Sequence, residues 1–156
     1  MSAKIAVGAK APGFTLIHDG GGQVSLADFK GRKLVLYFYP KADTSGCTLE
    51  AKDFSRLAPA FSRAGTAILG VSADSVPKQD KFIAKHGLSV RLASDESHEM
   101  LIAYGVWAKK SMWGRSYMGV LRNTYLIGPD GRIARIWEKV KVAGHAEEVL
   151  AAAKDL

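Results

Sequence analysis

The sequence predicts an α/β fold in which helices flank a central mixed β-sheet, with an N-terminal β-hairpin at one edge. Three observations carry that reading. Apolar runs of strand length stand at residues 34–39 and 67–71, helical spacing follows each of them, and a second hairpin and a last helix close the chain. The 156 residues are 47% hydrophobic and 24% charged, with no repeat, low-complexity tract or Pro/Gly/Ser-rich linker, so one domain over residues 1–156 is expected. That composition excludes a disordered chain. A domain of this length buries roughly 68–70% of its unfolded surface, enough for a core without disulfides or structural metal.

The elements follow in order. Residues 14–17 and 23–26 flank His18-Asp19-Gly20-Gly21-Gly22, whose glycines tolerate positive φ, which predicts a short hairpin. Leu34-Val35-Leu36-Tyr37-Phe38-Tyr39 is apolar throughout and ends at Pro40, as a central strand buried on both faces would be. From Cys47 to about Ala64, the residues Leu49, Phe54, Leu57 and Phe61 fall near helical spacing, with Pro59 expected to kink or split the helix. A second apolar strand covers 67–71. A helix follows it with Ser75 as N-cap and Pro77 in its first turn, ending near His86-Gly87. A short strand around Leu92 and a helix over about 97–104 come next. Residues 123–127 and 133–137 then enclose Gly128-Pro129-Asp130-Gly131 as a hairpin, and 144–153 is helical by its Ala, Glu and Leu content. Strands alternating with helices before a closing hairpin point to a thioredoxin-like arrangement.

Cys47 is the only cysteine, so a disulfide framework, a CxxC dithiol or a cysteine zinc site cannot form within the chain. Nothing in residues 1–20 resembles a signal-peptide core and no apolar run approaches a membrane span, which predicts a soluble cytoplasmic protein whose lone thiol is kept reduced. The formal charge of +7 suits acidic partners, protein or nucleic acid, without choosing between them.

The strongest strand runs into Pro40-Lys41-Ala42-Asp43-Thr44-Ser45-Gly46-Cys47-Thr48-Leu49-Glu50, which sets Cys47 in the first turn of the next helix. Lowering a thiol from pKa ~8.5 to ~6 takes about 3.4 kcal/mol of preferential thiolate stabilisation. A helix N-terminus supplies at most ~2 kcal/mol, so a hydroxyl and a guanidinium must contribute. Thr44 lies three residues before the cysteine, within reach of a hydrogen bond in a turn. The arginine has to come from elsewhere in the chain.

This segment resembles the Pro-x-x-x-Thr-x-x-Cys motif of the peroxiredoxins, and the chain is similar to their bacterioferritin comigratory protein, or peroxiredoxin Q, branch. The likeness runs nearly end to end. Gly8-Ala9-Lys10-Ala11-Pro12-Gly13-Phe14 looks like the family's opening, Val24-Ser25-Leu26 and Phe29-Lys30-Gly31 like its next strand and turn, and Phe38-Tyr39-Pro40-Lys41 like its approach to the site. Tyr104-Gly105-Val106-Trp107, Gly114-Arg115-Ser116-Tyr117 and Arg122-Asn123-Thr124-Tyr125-Leu126-Ile127 match its second half. The resemblance implies a thioredoxin-like fold and a thiol peroxidase acting on hydrogen peroxide and organic hydroperoxides. It makes Cys47 the peroxidatic nucleophile, Thr44 its hydroxyl neighbour, Arg122 the guanidinium, Pro40 the shield and Glu50 the residue that orients Arg122. It implies no cofactor, no metal and a monomer or weak dimer.

One departure bears on the catalytic cycle. Many members of the branch carry a second cysteine five residues after the first, where Lys52 stands, and others carry it in the helix after the second strand, where Ile83 stands. The chain therefore reads as a one-cysteine version recycled by an external thiol: thioredoxin, glutaredoxin or glutathione.

Taken singly, each residue has a plainer role: Cys47 in the core, Thr44 as a helix cap, Pro40 as a strand end, Arg122 as an ion-pair partner of Glu50. Their joint presence is what points to chemistry. His18, His86, His98 and His145 lack metal-ligand spacing and are expected at the surface or as caps. Trp107, Lys109, Lys110, Trp113 and Arg115 are expected as a solvated loop beside the site with two partly buried indoles. Two other function classes fit parts of this pattern: a peroxide sensor that passes oxidation on by mixed disulfide, and a basic nucleic-acid-binding domain using that aromatic stretch.

Overall fold

The computed structural model describes residues 5–156. Its main sheet has seven strands in the order β2-β1-β5-β4-β3-β8-β9. These are β1 (Thr15–His18), β2 (Gln23–Ser25), β3 (Lys33–Phe38), β4 (Thr66–Ser72), β5 (Arg91–Ser94), β8 (Thr124–Ile127) and β9 (Ile133–Trp137). Strands β3, β4 and β5 run parallel, while β8 and β9 extend the sheet antiparallel at one side and β1 and β2 at the other. The sheet is mixed, as the alternating pattern predicts.

β3 shows why its sequence is apolar at every position. Side chains alternate across a strand, so Leu34, Leu36 and Phe38 enter one core while Val35, Tyr37 and Tyr39 enter the other. Helices α1 (Ser45–Arg63), α2 (Val76–His86) and α4 (His145–Asp155) supply Phe54, Phe61, Phe82 and Val149 to the Tyr37 side. The short α3 (Glu99–Ala103) supplies Met100 and Leu101 to the other. Tyr37 also explains Gly70 on the neighbouring strand, because a Cβ there would lie 2.7 Å from its ring.

Most predicted boundaries agree with the structure to within a residue or two. Ser75 accepts from the Lys78 amide at the start of α2, and Gly87 ends it at φ +60°. Three expectations change. Pro59 does not split its helix: α1 is continuous over 19 residues. The helix expected over 97–104 contracts to α3, because Asp95 takes the Leu101 amide at 2.9 Å and the Ser97 hydroxyl at 3.0 Å, folding the preceding residues into a turn. The expected loop around 107–115 is a hairpin, β6 (Trp107–Met112) and β7 (Arg115–Val120), paired antiparallel outside the main sheet. Its turn residues Trp113 and Gly114 both have positive φ, and Trp113 is 92% exposed rather than partly buried.

The histidines also depart from expectation. His145 and His18 are buried. His145 turns inward at the start of α4, its Nε2 2.9 Å from Thr124 Oγ1 and its ring edge-on to Phe54 and Trp137. Burial, the main cause, lowers its pKa from 6.5 to about 4.

Candidate active site

The loop leaving β3 turns at Asp43, whose φ is +64°, and enters α1 at Thr44. Two ties hold it. The Ala42 amide donates to Asp74 at 2.8 Å, and the Asp43 carboxylate pairs with Lys85 at 2.8 Å and His86 at 2.7 Å at the end of α2. The first amide of this turn with a helical partner is that of Thr48, bonded to the Thr44 carbonyl at 2.8 Å. The Cys47 amide precedes it, so it stays available to an oxygen brought up to the sulfur.

Cys47 is 1% exposed. Its Sγ accepts a hydrogen bond from Arg122 Nη2 at 3.3 Å, while Arg122 Nη1 donates to Glu50 Oε1 at 2.7 Å. The register explains how Arg122 arrives. β8 runs antiparallel to β3 with Thr124 opposite Tyr37, and the Phe38 amide continues the ladder to the Asn123 carbonyl. The next residue, Arg122, therefore sits beside the exit of β3. Cys47 and Glu50, three apart on one helix, face it together.

Arg122 is held on two sides, by the Glu50 carboxyl and the Cys47 sulfur. Burial opposes its charge, but Glu50 and Cys47 outweigh it and the pKa lies above the ordinary arginine value. Glu50 is 1% exposed, and burial pushes its pKa up to about 7 even though Arg122 pulls it down. Its second oxygen, Oε2, has no hydrogen-bond partner. The carboxylate is therefore poised to titrate near neutrality while its partner stays cationic.

Thr44 differs from the geometry its spacing suggested. It takes the N-cap position, but its Oγ1 donates to the Lys41 carbonyl at 2.8 Å and caps no amide. With its proton committed there, the hydroxyl oxygen keeps only acceptor capacity. Pro40 is half-buried and lines a cleft of about 500 Å³ with Trp107, Lys110, Tyr117 and Met118 from the β6–β7 hairpin. Gly46 was not singled out in the sequence. A Cβ there would stand 3.2 Å from Arg122 Nη2, so the bare backbone leaves the guanidinium its place. The signal was present: glycine is a poor helix former, yet it directly precedes the cysteine.

The chain that builds this buried thiol and its arginine matches a family model described as the AhpC/TSA family over residues 7–136. The chain belongs to the AhpC/TSA family. It is 45% identical over 152 residues to peroxiredoxin Bcp of Bacillus subtilis, covering 97% of each chain. Among solved structures it is similar to Xanthomonas campestris peroxiredoxin Q, with TM-score 0.87 and 46% identity over 91% of this chain and 90% of that one. It is also similar to a mutant of Xylella fastidiosa PrxQ, with TM-score 0.93 and 38% identity over 98% of both. A structure of Xanthomonas campestris bacterioferritin comigratory protein, matching equally well, concerns that protein's alkyl peroxide reduction activity. This peroxiredoxin has the thioredoxin fold that its element order predicts, and it is a thiol-dependent peroxidase whose single cysteine fits chemistry through a sulfenic acid. No helix among the described residues is long and apolar enough to cross a membrane.

Proposed function

We propose that Cys47 attacks hydrogen peroxide and organic hydroperoxides directly, and that an external thiol then recycles it in the cytoplasm, with the protein acting as a monomer or weak dimer. The observation that carries this reading is the line Glu50–Arg122–Cys47, with contacts of 2.7 Å and 3.3 Å. The Cys47 thiolate attacks one peroxide oxygen as the O–O bond breaks. The other oxygen leaves as hydroxide or alkoxide and is protonated to water or alcohol, and Cys47 becomes the sulfenic acid.

Each neighbour has a part. Arg122 offers a planar donor fork, one arm held by Glu50 and the other already at the sulfur, where it can also address the leaving oxygen. The Cys47 amide and the α1 N-terminus favour negative charge at the same place. Thr44, as an acceptor, orients the protonated oxygen of the incoming hydroperoxide, and Pro40 limits water at the sulfur. The alkyl peroxide activity of the Xanthomonas relative supports extending the substrate class beyond hydrogen peroxide.

With one cysteine, no disulfide can form within the chain. Thioredoxin, glutaredoxin and glutathione are the candidate reductants. The test is peroxide consumption with each of them, followed by intact-protein mass measurement. Turnover should need Cys47, and excess peroxide without thiol should add two oxygens to that residue as the sulfinic acid. Peroxide consumption that continues without reduced Cys47 would refute the assignment.

A further inference from the structure

Beside the Cys47 loop lies a cleft of about 510 Å³ between residues 41–43 and α2. Lys41, Lys78, Lys81 and Lys85 line it around an apolar floor of Ala42, Phe82 and Ala84. Two carboxylates also line it, and of these only Asp43 is paired with cations. Asp74 takes the Ala42 amide and the Ser72 hydroxyl, and Asp43 pairs with Lys85 and His86. Among the described residues, Lys41, Lys78 and Lys81 enter no ion pair. Set against the one unpaired carboxylate, Asp74, these three lysines leave an excess of two positive charges around one concavity, which suits an anion of matching charge. Lys41 and Lys78 also line the cleft that reaches Pro40 and Lys110, so the positive lining continues toward the site.

We infer that this lysine-lined cleft docks the recycling thiol, and that the thiol it takes is a small molecule bearing two carboxylates. The inference rests on the reading of Cys47 as the residue that forms the sulfenic acid. Size favours a small molecule, since the volume falls within the ~300–1,000 Å³ of small-ligand pockets, whereas a protein partner needs a broad contact of about 800 Å² on each side. Reach is satisfied as well. Cys47 lies four residues past Asp43 in the chain, a stretch that spans up to about 13 Å if the first turn of α1 unwinds, so the buried sulfur can be delivered to the cleft.

The reaction there balances without further reagents. The docked thiolate attacks Sγ of the Cys47 sulfenic acid, the S–O bond breaks as the S–S bond forms, and hydroxide leaves and takes up a proton as water. A second molecule of the same thiol attacks the mixed disulfide, releasing Cys47 thiolate and a small disulfide. The two thiols together supply the two electrons.

The test uses the full chain. Cys47 is oxidised with one equivalent of hydrogen peroxide, and mixed-disulfide formation is followed with glutathione as the dicarboxylate probe or 2-mercaptoethanol as the uncharged one. With glutathione the rate should saturate with concentration, fall with added salt, and drop about fivefold in the Lys78→Gln/Lys81→Gln double variant. The rates with 2-mercaptoethanol and of the peroxide step should stay unchanged. A glutathione rate that the double variant leaves intact, or equal slowing with both thiols, overturns the inference. Slowing confined to a thioredoxin-type protein also overturns it and makes the cleft a protein-docking surface. Failure of Cys47 to gain oxygen in the first step instead refutes the peroxidase reading beneath it.

Discussion

Two buried polar clusters meet near the end of β3 and follow opposite rules. In one, the Tyr39 hydroxyl donates to Gln79 Oε1 at 2.5 Å, Gln79 Nε2 donates to Ser72 Oγ at 2.9 Å and to the Ala93 carbonyl at 3.1 Å, and the Ser72 hydroxyl donates to Asp74 at 2.7 Å. Every one of these polar groups has a partner. In the other, Cys47, Arg122 and Glu50 share two hydrogen bonds, and Glu50 Oε2 has none. A satisfied network rigidifies a core, whereas an unsatisfied one stores a preference for a different charge state. The first cluster holds the scaffold and, through Asp74, the Ala42 amide of the active-site loop. The second sets a buried, half-paired carboxylate and the thiol on the two arms of one guanidinium.

The contrast can be broken from the reactive side first. Cys47→Ser should abolish peroxide consumption while the circular dichroism spectrum and melting temperature change little, because the swap is nearly isosteric and removes only the nucleophile. Turnover in this variant would end the assignment.

Arg122→Lys should come next, lowering the rate of peroxide reaction by about 10²–10³-fold, the scale on which one transition-state donor acts. A lysine keeps the charge but cannot bridge Glu50 and the sulfur with one planar group. Alkylation of Cys47 by iodoacetamide, which needs no such donor for a leaving oxygen, should fall much less. Equal losses in the two assays would reduce Arg122 to a general thiol activator.

Glu50→Gln sharpens the comparison through pH. The fold raises the Glu50 pKa from 4.5 to about 7, so the folded state binds more protons than the unfolded one between those values. Stability from this group is therefore present below about pH 4.5 and is lost as pH rises through 7. His145 works the other way, since its depressed pKa costs stability as pH falls from 6.5 toward 4. Denaturant midpoints from pH 4 to 8 should show Glu50→Gln losing the first trend while keeping the second. The neutral amide also holds Arg122 less firmly, and the peroxide rate should fall about five- to tenfold. Parallel pH profiles for variant and wild type would mean that Glu50 does not titrate in this range.

The smallest effect on chemistry belongs to the satisfied cluster. Tyr39→Phe leaves Gln79 Oε1 unpaired in a dry site and should cost about 1–3 kcal/mol of unfolding free energy. The peroxide rate of the folded variant should stay within about twofold of wild type. A large catalytic loss here would mean that the two clusters are coupled through the loop they share.

Much of this architecture was legible because it is written in local pattern. The doubly buried run at 34–39, the Ser75 and Gly87 signals around α2, and the closing hairpin each follow from periodicity or turn chemistry within a few residues. The β6–β7 hairpin escaped because most of its residues face solvent on both sides, which removes the alternation that marks a half-buried strand, and its turn uses Trp113-Gly114 rather than Asn-Gly. His145 escaped because a lone histidine at a helix start reads as a cap. Only packing against Phe54, Trp137 and Thr124 turns it inward.

At the site the same boundary holds. Cys47 in the first turn of α1 and Glu50 on its face are helical geometry, so the sequence by itself determined both, and the demand for a guanidinium followed from the energy of ionising a thiol. Which arginine answers that demand followed in the sequence from family resemblance alone, and its geometry rests on the β3–β8 register that carries Arg122 across 75 residues. That Thr44 spends its proton on Lys41, and that Glu50 is left half-paired, was decided by tertiary structure alone. Hydrogen-bond partners and dielectric depend on which atoms come to surround a group, and a linear spacing of residues holds no record of that enclosure.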